Sequence, residues 1–278
     1  MSFNSIKEYI DCEDVRFSFR KSLVQTTTAG YWFDLSMSPG NPVPQYYAAS
    51  PMVAVQMKQS TDGGLFHGKG DGVLKSNIIM SSSATGMPCQ FLMLDYLMFY
   101  PFVDEGTTDE QFFTNSVTLP RWTDGAGVQV MAVSVAGRTG GQTFRISYTN
   151  QDGVAGRTSQ TVIQNAITAV GTIVTSALAT DSAAGPFLPL QIGDTGVRSI
   201  ESVTMISGAD VGLFTLVLVK PLMSTQLLEQ TAPTEDVLMA EKSSIPVIED
   251  DAYLNFICCP QGSLSGVSFH GILTTGVL

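Results

Sequence analysis

The sequence predicts an all-β fold: an antiparallel β-sandwich of jelly-roll type, preceded by an extended proline-rich N-terminal arm. Three observations predict it. Val128–Thr158, VQVMAVSVAGRTGGQTFRISYTNQDGVAGRT, alternates apolar and polar residues, breaks at a glycine-rich turn, and does so again. That is the pattern of antiparallel strands with one buried face. The turn clusters GDTG, SGAD and PQGS carry the same grammar to the C-terminus. Helix periodicity is nearly absent there, and eight short strands at this spacing suit two packed sheets.

Taken in order, residues 1–25 form a helix or arm, with a short helix starting near Ser5–Ile10 and Glu8 at its positive end. TTTAG (Thr26–Gly30) is a breaker, and YWFDL (Tyr31–Leu35) is aromatic and strand-like. Ser36–Pro51 holds four prolines, Pro39, Pro42, Pro44 and Pro51, which excludes a regular helix or inner strand. Met52–Met57 alternates as a strand, Asp62–Gly72 is a glycine-rich loop, and Val73–Met80 is ambiguous. FLMLDYLMFY (Phe91–Tyr100) is a buried strand or a short buried helix. It is too short to span a bilayer as a helix. Asp104–Gln111 is an acidic loop and Ser116–Leu119 a short strand. Strands are then expected over Val128–Val135, Gln142–Tyr148, Thr158–Gln164, Gly171–Ala177, Ser199–Ile206, Leu213–Val219, Tyr253–Cys258 and Gly266–Leu273. Leu227–Glu241, broken by Pro233, is a long surface loop. The chain thus divides into an arm (1–51), a mixed β region packing on the body (52–116) and a sandwich body (117–278).

Only 14% of the 278 residues are charged, well below the roughly one quarter of a typical soluble domain. A surface so poor in charge suits an assembled subunit covered by its neighbours. Residues 1–75 hold seven basic and seven acidic groups, so the net charge of −11 falls on the rest. That acidic body repels nucleic acid and anionic membranes, so neither is expected as a partner. The four cysteines show no C-x-x-C spacing, which argues against a disulfide framework or zinc site. The N-terminus carries acids where a signal peptide needs an apolar stretch.

No motif supports catalysis or a cofactor. Gly63–Lys69 reads G-x-x-x-x-G-K, but Gly70 stands where a P-loop needs a magnesium-binding hydroxyl. The two histidines, His67 and His270, read as turn and edge residues, and the acidic pairs read as solvated loops. The candidate residues are therefore interface residues. Tyr31, Trp32, Tyr46 and Tyr47 are aromatic anchors beside Pro42 and Pro44, which pre-extend the backbone and lower the ordering cost of docking. Arg138 and Arg157 sit in an internal echo, VAGRT, repeated 19 residues apart, and are expected to pair with acids on a neighbouring subunit.

AGYWFDLSMSPGNPVPQYYAASP (Ala29–Pro51), DYLMFYPFVDEGTTD (Asp95–Asp109), VTLPRWTDGAGVQVMAV (Val117–Val133) and SYTNQDGVAGRTS (Ser147–Ser159) resemble tailed-bacteriophage virion structural proteins. The resemblance spans most of the chain. It implies a non-enzymatic protein assembled in the host cytoplasm and built into the virion. Its partners would be copies of itself, commonly as trimers, and the major capsid protein. A capsid decoration or cement role is the first expectation. A tail or fibre component binding a receptor or glycan is the second, and a virion-associated hydrolase the third. A major capsid protein of the common tailed-phage fold needs a long spine helix, and no such amphipathic run exists here.

Overall fold

The computed structural model describes residues 6–175, 185–206, 211–230, 234–237 and 245–277. Strand makes up 47% of it and helix 5%, so the all-β expectation holds. Helix α1 (Ile6–Asp11) leads into β1 (Glu13–Ser22), and β2 (Phe33–Asp34) runs into a single 3-10 turn (Leu35–Met37). Then come β3 (Gly40–Asn41), β4 (Val55–Gln56), α2 (Gln59–Asp62), β5 (Gly72–Ser81), β6 (Cys89–Asp104) and β7 (Gln111–Phe112). They are followed by β8 (Gln129–Ser134), β9 (Thr143–Asn150), β10 (Arg157–Thr158), β11 (Val162–Ile163) and β12 (Val197–Met205). The last strands are β13 (Leu213–Leu227), β14 (Thr234–Val237), β15 (Val247–Ile248), β16 (Tyr253–Pro260) and β17 (Ser268–Val277).

These strands make three antiparallel sheets where the turn spacing predicted two, and one of the three curls into a half-barrel. The first sheet has the order β14-β5-β17-β1-β3, with β15 also on β5. The central sheet runs β2-β16-β6-β13-β8, with β4 on β6. The third runs β10-β9-β12-β7, with β11 on β9.

Two long strands of the central sheet, β6 and β13, explain how three sheets share one body. Phe91 and Met93 of β6 pack with Phe19, Ile79 and Phe269 of the first sheet. Further along, Met98, Tyr100 and Val103 pack with Phe144, Ile146 and Val203 of the third. A bulge lies near the change of partner: Leu218 faces Met98 and Val219 faces Tyr96, so Leu97 is skipped, and Leu97 and Met98 both lie in the core shared with the third sheet. That extra residue shifts the inward set from Phe91, Met93 and Leu97 to Met98 and Tyr100, and a second irregularity, between Phe214 and Leu216, returns it to Val103. On the opposite face, Leu94, Tyr96 and Phe99 form a third core with Trp32, Met37, Tyr47 and Val217. Strand β6 is thus buried on both faces, which is why its run is continuously apolar rather than alternating.

Several expectations need correction. Residues 13–22 are not part of a free arm: β1 pairs with β17 over ten positions, from Glu13↔Val277 to Ser22↔Ser268. The expected strand at Met52–Met57 shrinks to β4, and Ser116–Leu119 is not a strand. Thr158–Gln164 splits into β10 and β11. Within Gly171–Ala177, Thr172 and Ile173 make only isolated bridges, to Phe33 and Val133, and residues 176–177 lie outside the described part. Leu227–Glu241 contains β14, which pairs with β5, so it is not wholly loop; its residues 231–233 and 238–241 also lie outside the described part. The ambiguous Val73–Met80 is β5, wedged between β14 and β17.

Candidate assembly surface

The proline-rich segment is held by a buried polar cluster. Asp34 sits in β2 opposite Ile257 of β16 and is fully buried. Its Oδ1 accepts from the Ser36 amide at 2.8 Å and from the Tyr96 hydroxyl at 2.7 Å. Its Oδ2 accepts from the Ser36 hydroxyl at 2.7 Å and the Tyr47 hydroxyl at 2.5 Å. Burial pushes the Asp34 carboxyl up from its ordinary range, while Tyr47, Ser36 and Tyr96 pull the other way by donating to the charged form. From the first sheet, the buried Lys21 ammonium donates to the carbonyls of Ser36, Ser38 and Pro42 at 3.4, 3.0 and 2.8 Å. Burial pulls Lys21 down to about 8, opposed by the charge of Asp34. The three carbonyls also favour the ammonium, which resists that fall.

This cluster decides what the segment can present. Tyr47 is fully buried, its ring edge-on to Phe99 at 5.3 Å, and Trp32 is buried in the same core. Both therefore anchor the chain to itself and are not available to a neighbour, contrary to the expectation. Pro42 is buried, and Tyr31 and Pro44 are half-buried. Tyr46 faces outward at 57% exposure, as do Val43 at 63% and Val24 at 67%. Tyr46 and Val24 rim an apolar cavity of about 100 Å3 floored by Phe33, Met37, Pro39 and Val170. Gly40 lets the segment pass: a Cβ there would lie 1.9 Å from the Arg20 carbonyl oxygen, and its φ of +143 suits glycine.

The two echoed arginines do not reach outward. Arg138 is buried against Glu105, Nε to Oε1 at 2.9 Å, and also donates to Gln164 and Asn165. Arg157 grips Asp194 with two bonds of 2.8 and 3.0 Å. Arg157, followed by Tyr148 and Asn150, holds the Asp194 carboxyl down at about 2. Both acids belong to the same chain, which corrects the expectation of partners on a neighbour.

Several other acids are also engaged within the chain. Asp251 accepts from the amide and hydroxyl of Ser60, Glu249 from the Trp122 amide and Glu110 from the Ser202 hydroxyl. The loop resembling a phosphate cradle donates its Gly70 amide to Asp250 at 2.6 Å and buries His67 against the Ala252 carbonyl. Among the described residues no group of three or more His, Cys, Asp or Glu is placed to hold a metal ion.

Sequence reasoning missed the charges inside the core. Asp95, in the middle of FLMLDYLMFY, forms a two-bond pair with Arg121 at 2.9 and 2.7 Å and accepts from the Trp122 indole at 3.1 Å. Arg121 also donates to the Met57 and Tyr96 carbonyls, tying β6 to the loop before β8. Asp34 in YWFDL is the same device. The signal was present in both: one acid inside an apolar run must meet donors, since an unpaired buried charge costs several kcal/mol. No family model, curated protein or solved structure matches this chain.

Proposed function

We propose that the chain is a non-enzymatic structural protein of a virion: a capsid decoration or cement protein that braces junctions between capsid subunits, with other copies of itself and the major capsid protein as partners. The core that the central and third sheets share supports the sandwich part of this reading. One observation carries it. The Asp34–Lys21 cluster fixes a proline-rich segment so that Val24 and Tyr46 stand exposed at a small apolar cavity. A cavity of that size takes one aliphatic or aromatic side chain of a neighbouring subunit. Covering the surrounding rim contributes at about 25 cal/mol per Å2, before association costs. The resemblance to phage virion proteins points the same way.

The test is binding of the purified chain to particles lacking it. Tyr46→Glu, at an exposed position, should abolish co-sedimentation while leaving the circular dichroism unchanged. Undiminished binding by that variant overturns the docking face. A particle reconstruction placing a few copies at a tail tip, rather than many on the shell, replaces cement by the fibre reading.

A further inference from the structure

The first sheet carries an unfinished edge. Strand β1 is paired along its whole length with β17, but on its other side β3 pairs only with Arg20 and Lys21. The Ser22 amide donates to Pro39 and the Ser18 carbonyl accepts from the Asn41 side chain, so even-numbered residues turn their backbone groups to this side. By the same alternation, Asp14 and Arg16 aim their N–H and C=O groups at it. No strand among the described residues covers Glu13–Phe17 there. Their side chains alternate too: Asp14 and Arg16 are exposed, while Val15 and Phe17 are half-buried.

We infer that a second copy of this chain pairs with that edge, β1 against β1, antiparallel and centred on Val15. The open run of five residues has Val15 at its middle, so a two-fold axis there fits Glu13–Phe17 onto itself. In this register Asp14 of each copy stands opposite Arg16 of the other, the hydrogen-bonded pair that even residues require. Opposite charges directly across an antiparallel pair stabilise it, whereas registers centred on Asp14 or Arg16 set like charges face to face. A second feature points to an occupant. Phe66, 47% exposed, lies with its ring 6.0 Å from that of Phe17, beside the open edge. A partner strand opposite Phe17 shields this ring pair from water. The contact is distinct from the Tyr46 cavity and stands or falls separately from it.

The experiment is sedimentation of the full chain over a range of concentrations. The expected result is reversible association from 29.7 kDa to twice that mass. Asp14→Arg alone and Arg16→Asp alone each place like charges across the axis and should weaken self-association by about tenfold or more. Mixing these two variants restores both Asp–Arg pairs and should return one-to-one dimers at the wild-type concentration. Arg16→Pro removes an outward N–H without touching the β17 ladder and should leave a folded monomer. Amide exchange at Asp14 and Arg16 should slow as concentration rises. A chain that stays monomeric overturns the inference, as do variants that dimerise unchanged or a mixture that fails to rescue. Slow exchange independent of concentration also overturns it, because the edge is then covered by the same chain.

Discussion

Val135–Thr139 and Val154–Thr158 are the same five residues, VAGRT, set in opposite surroundings. The first lies in the connection from β8 to β9, running beside the start of β13: Val135 and Ala136 donate to the Leu213 carbonyl and Thr139 to that of Val211. Gly212 lets it approach, since a Cβ there would meet the Arg138 side chain at 2.5 Å. The Arg138 and Glu105 side chains are consequently both 0% exposed. The second copy ends in β10, on a hairpin from β9, and its Arg157 side chain is 25% exposed over Asp194. Identical local sequence therefore fixes neither burial nor the worth of an ion pair. The element that passes overhead does.

The comparison can be broken most forcefully at Arg138. Arg138→Ala leaves Glu105 buried without its cation and should cost about 3–5 kcal/mol in a denaturant titration. Arg138→Met with Glu105→Leu should recover part of that loss, because no lone charge remains. An Arg138→Ala variant as stable as the parent would mean that the pentapeptides are equivalent after all.

Lys21 sharpens the contrast between a buried cation with a carboxylate partner and one held by carbonyls. Its folded value of about 8 lies below the ordinary 10.5, so the unfolded chain binds more protons between these limits. Its contribution to stability should rise from pH 8 towards pH 10, by on the order of 2 kcal/mol at most. From about pH 9 the raised thiols of Cys258 and Cys259, and higher still the raised hydroxyls of Tyr47 and Tyr96, act the other way, since the unfolded chain then loses protons that the folded one keeps. Lys21→Met should remove that contribution and make the slope over this range more negative than in the parent chain, and an unchanged slope in that variant would remove Lys21 from the account.

Arg157→Ala should have the smallest effect. Its pair is partly solvated, so the loss should shrink further at about 1 M salt, where screening acts over about 3 Å. The readout with more resolution is acid. Asp194, at about 2, contributes stability that is complete above its ordinary value near 3.8 and disappears as pH falls through 2. That acid-side loss should be smaller in Arg157→Ala than in the parent chain. Equal salt and acid responses in the two chains would remove Arg157 from the account.

The parts legible in the sequence share one property: a buried face set by residues close in the chain. Strands β9, β12 and β17 lie within a few residues of their expected positions because alternation marks a half-buried strand, and β8 and β16 because a short apolar run between turn residues marks a fully buried one. Strand β1 alternates as well, with Val15, Phe17 and Phe19, yet its partner β17 lies some 250 residues away. Nothing local distinguishes such a strand from an arm. The proline-rich segment was legible as extended and aromatic, but which ring faces out depends on Asp34 and Lys21. Those two meet only after the first and central sheets come together. The third sheet was hidden for a similar reason, since the bulge at Leu97 appears only in the pairing of β6 with β13.

The pairing of β6 with β13 also governs how the molecule comes apart. Strands β6 and β13 lend one stretch to the core against the first sheet and the next stretch to the core against the third. Neither core can melt without pulling a shared strand out of the other, so heat should meet one cooperative unit rather than two. The chain holds two tryptophans, and they report on different places: Trp32 lies in the core behind the central sheet, Trp122 against the core shared with the third. Their fluorescence should change at the same temperature as the far-ultraviolet signal, in a single calorimetric peak. Two separated steps would show that the shared strands let go in the middle.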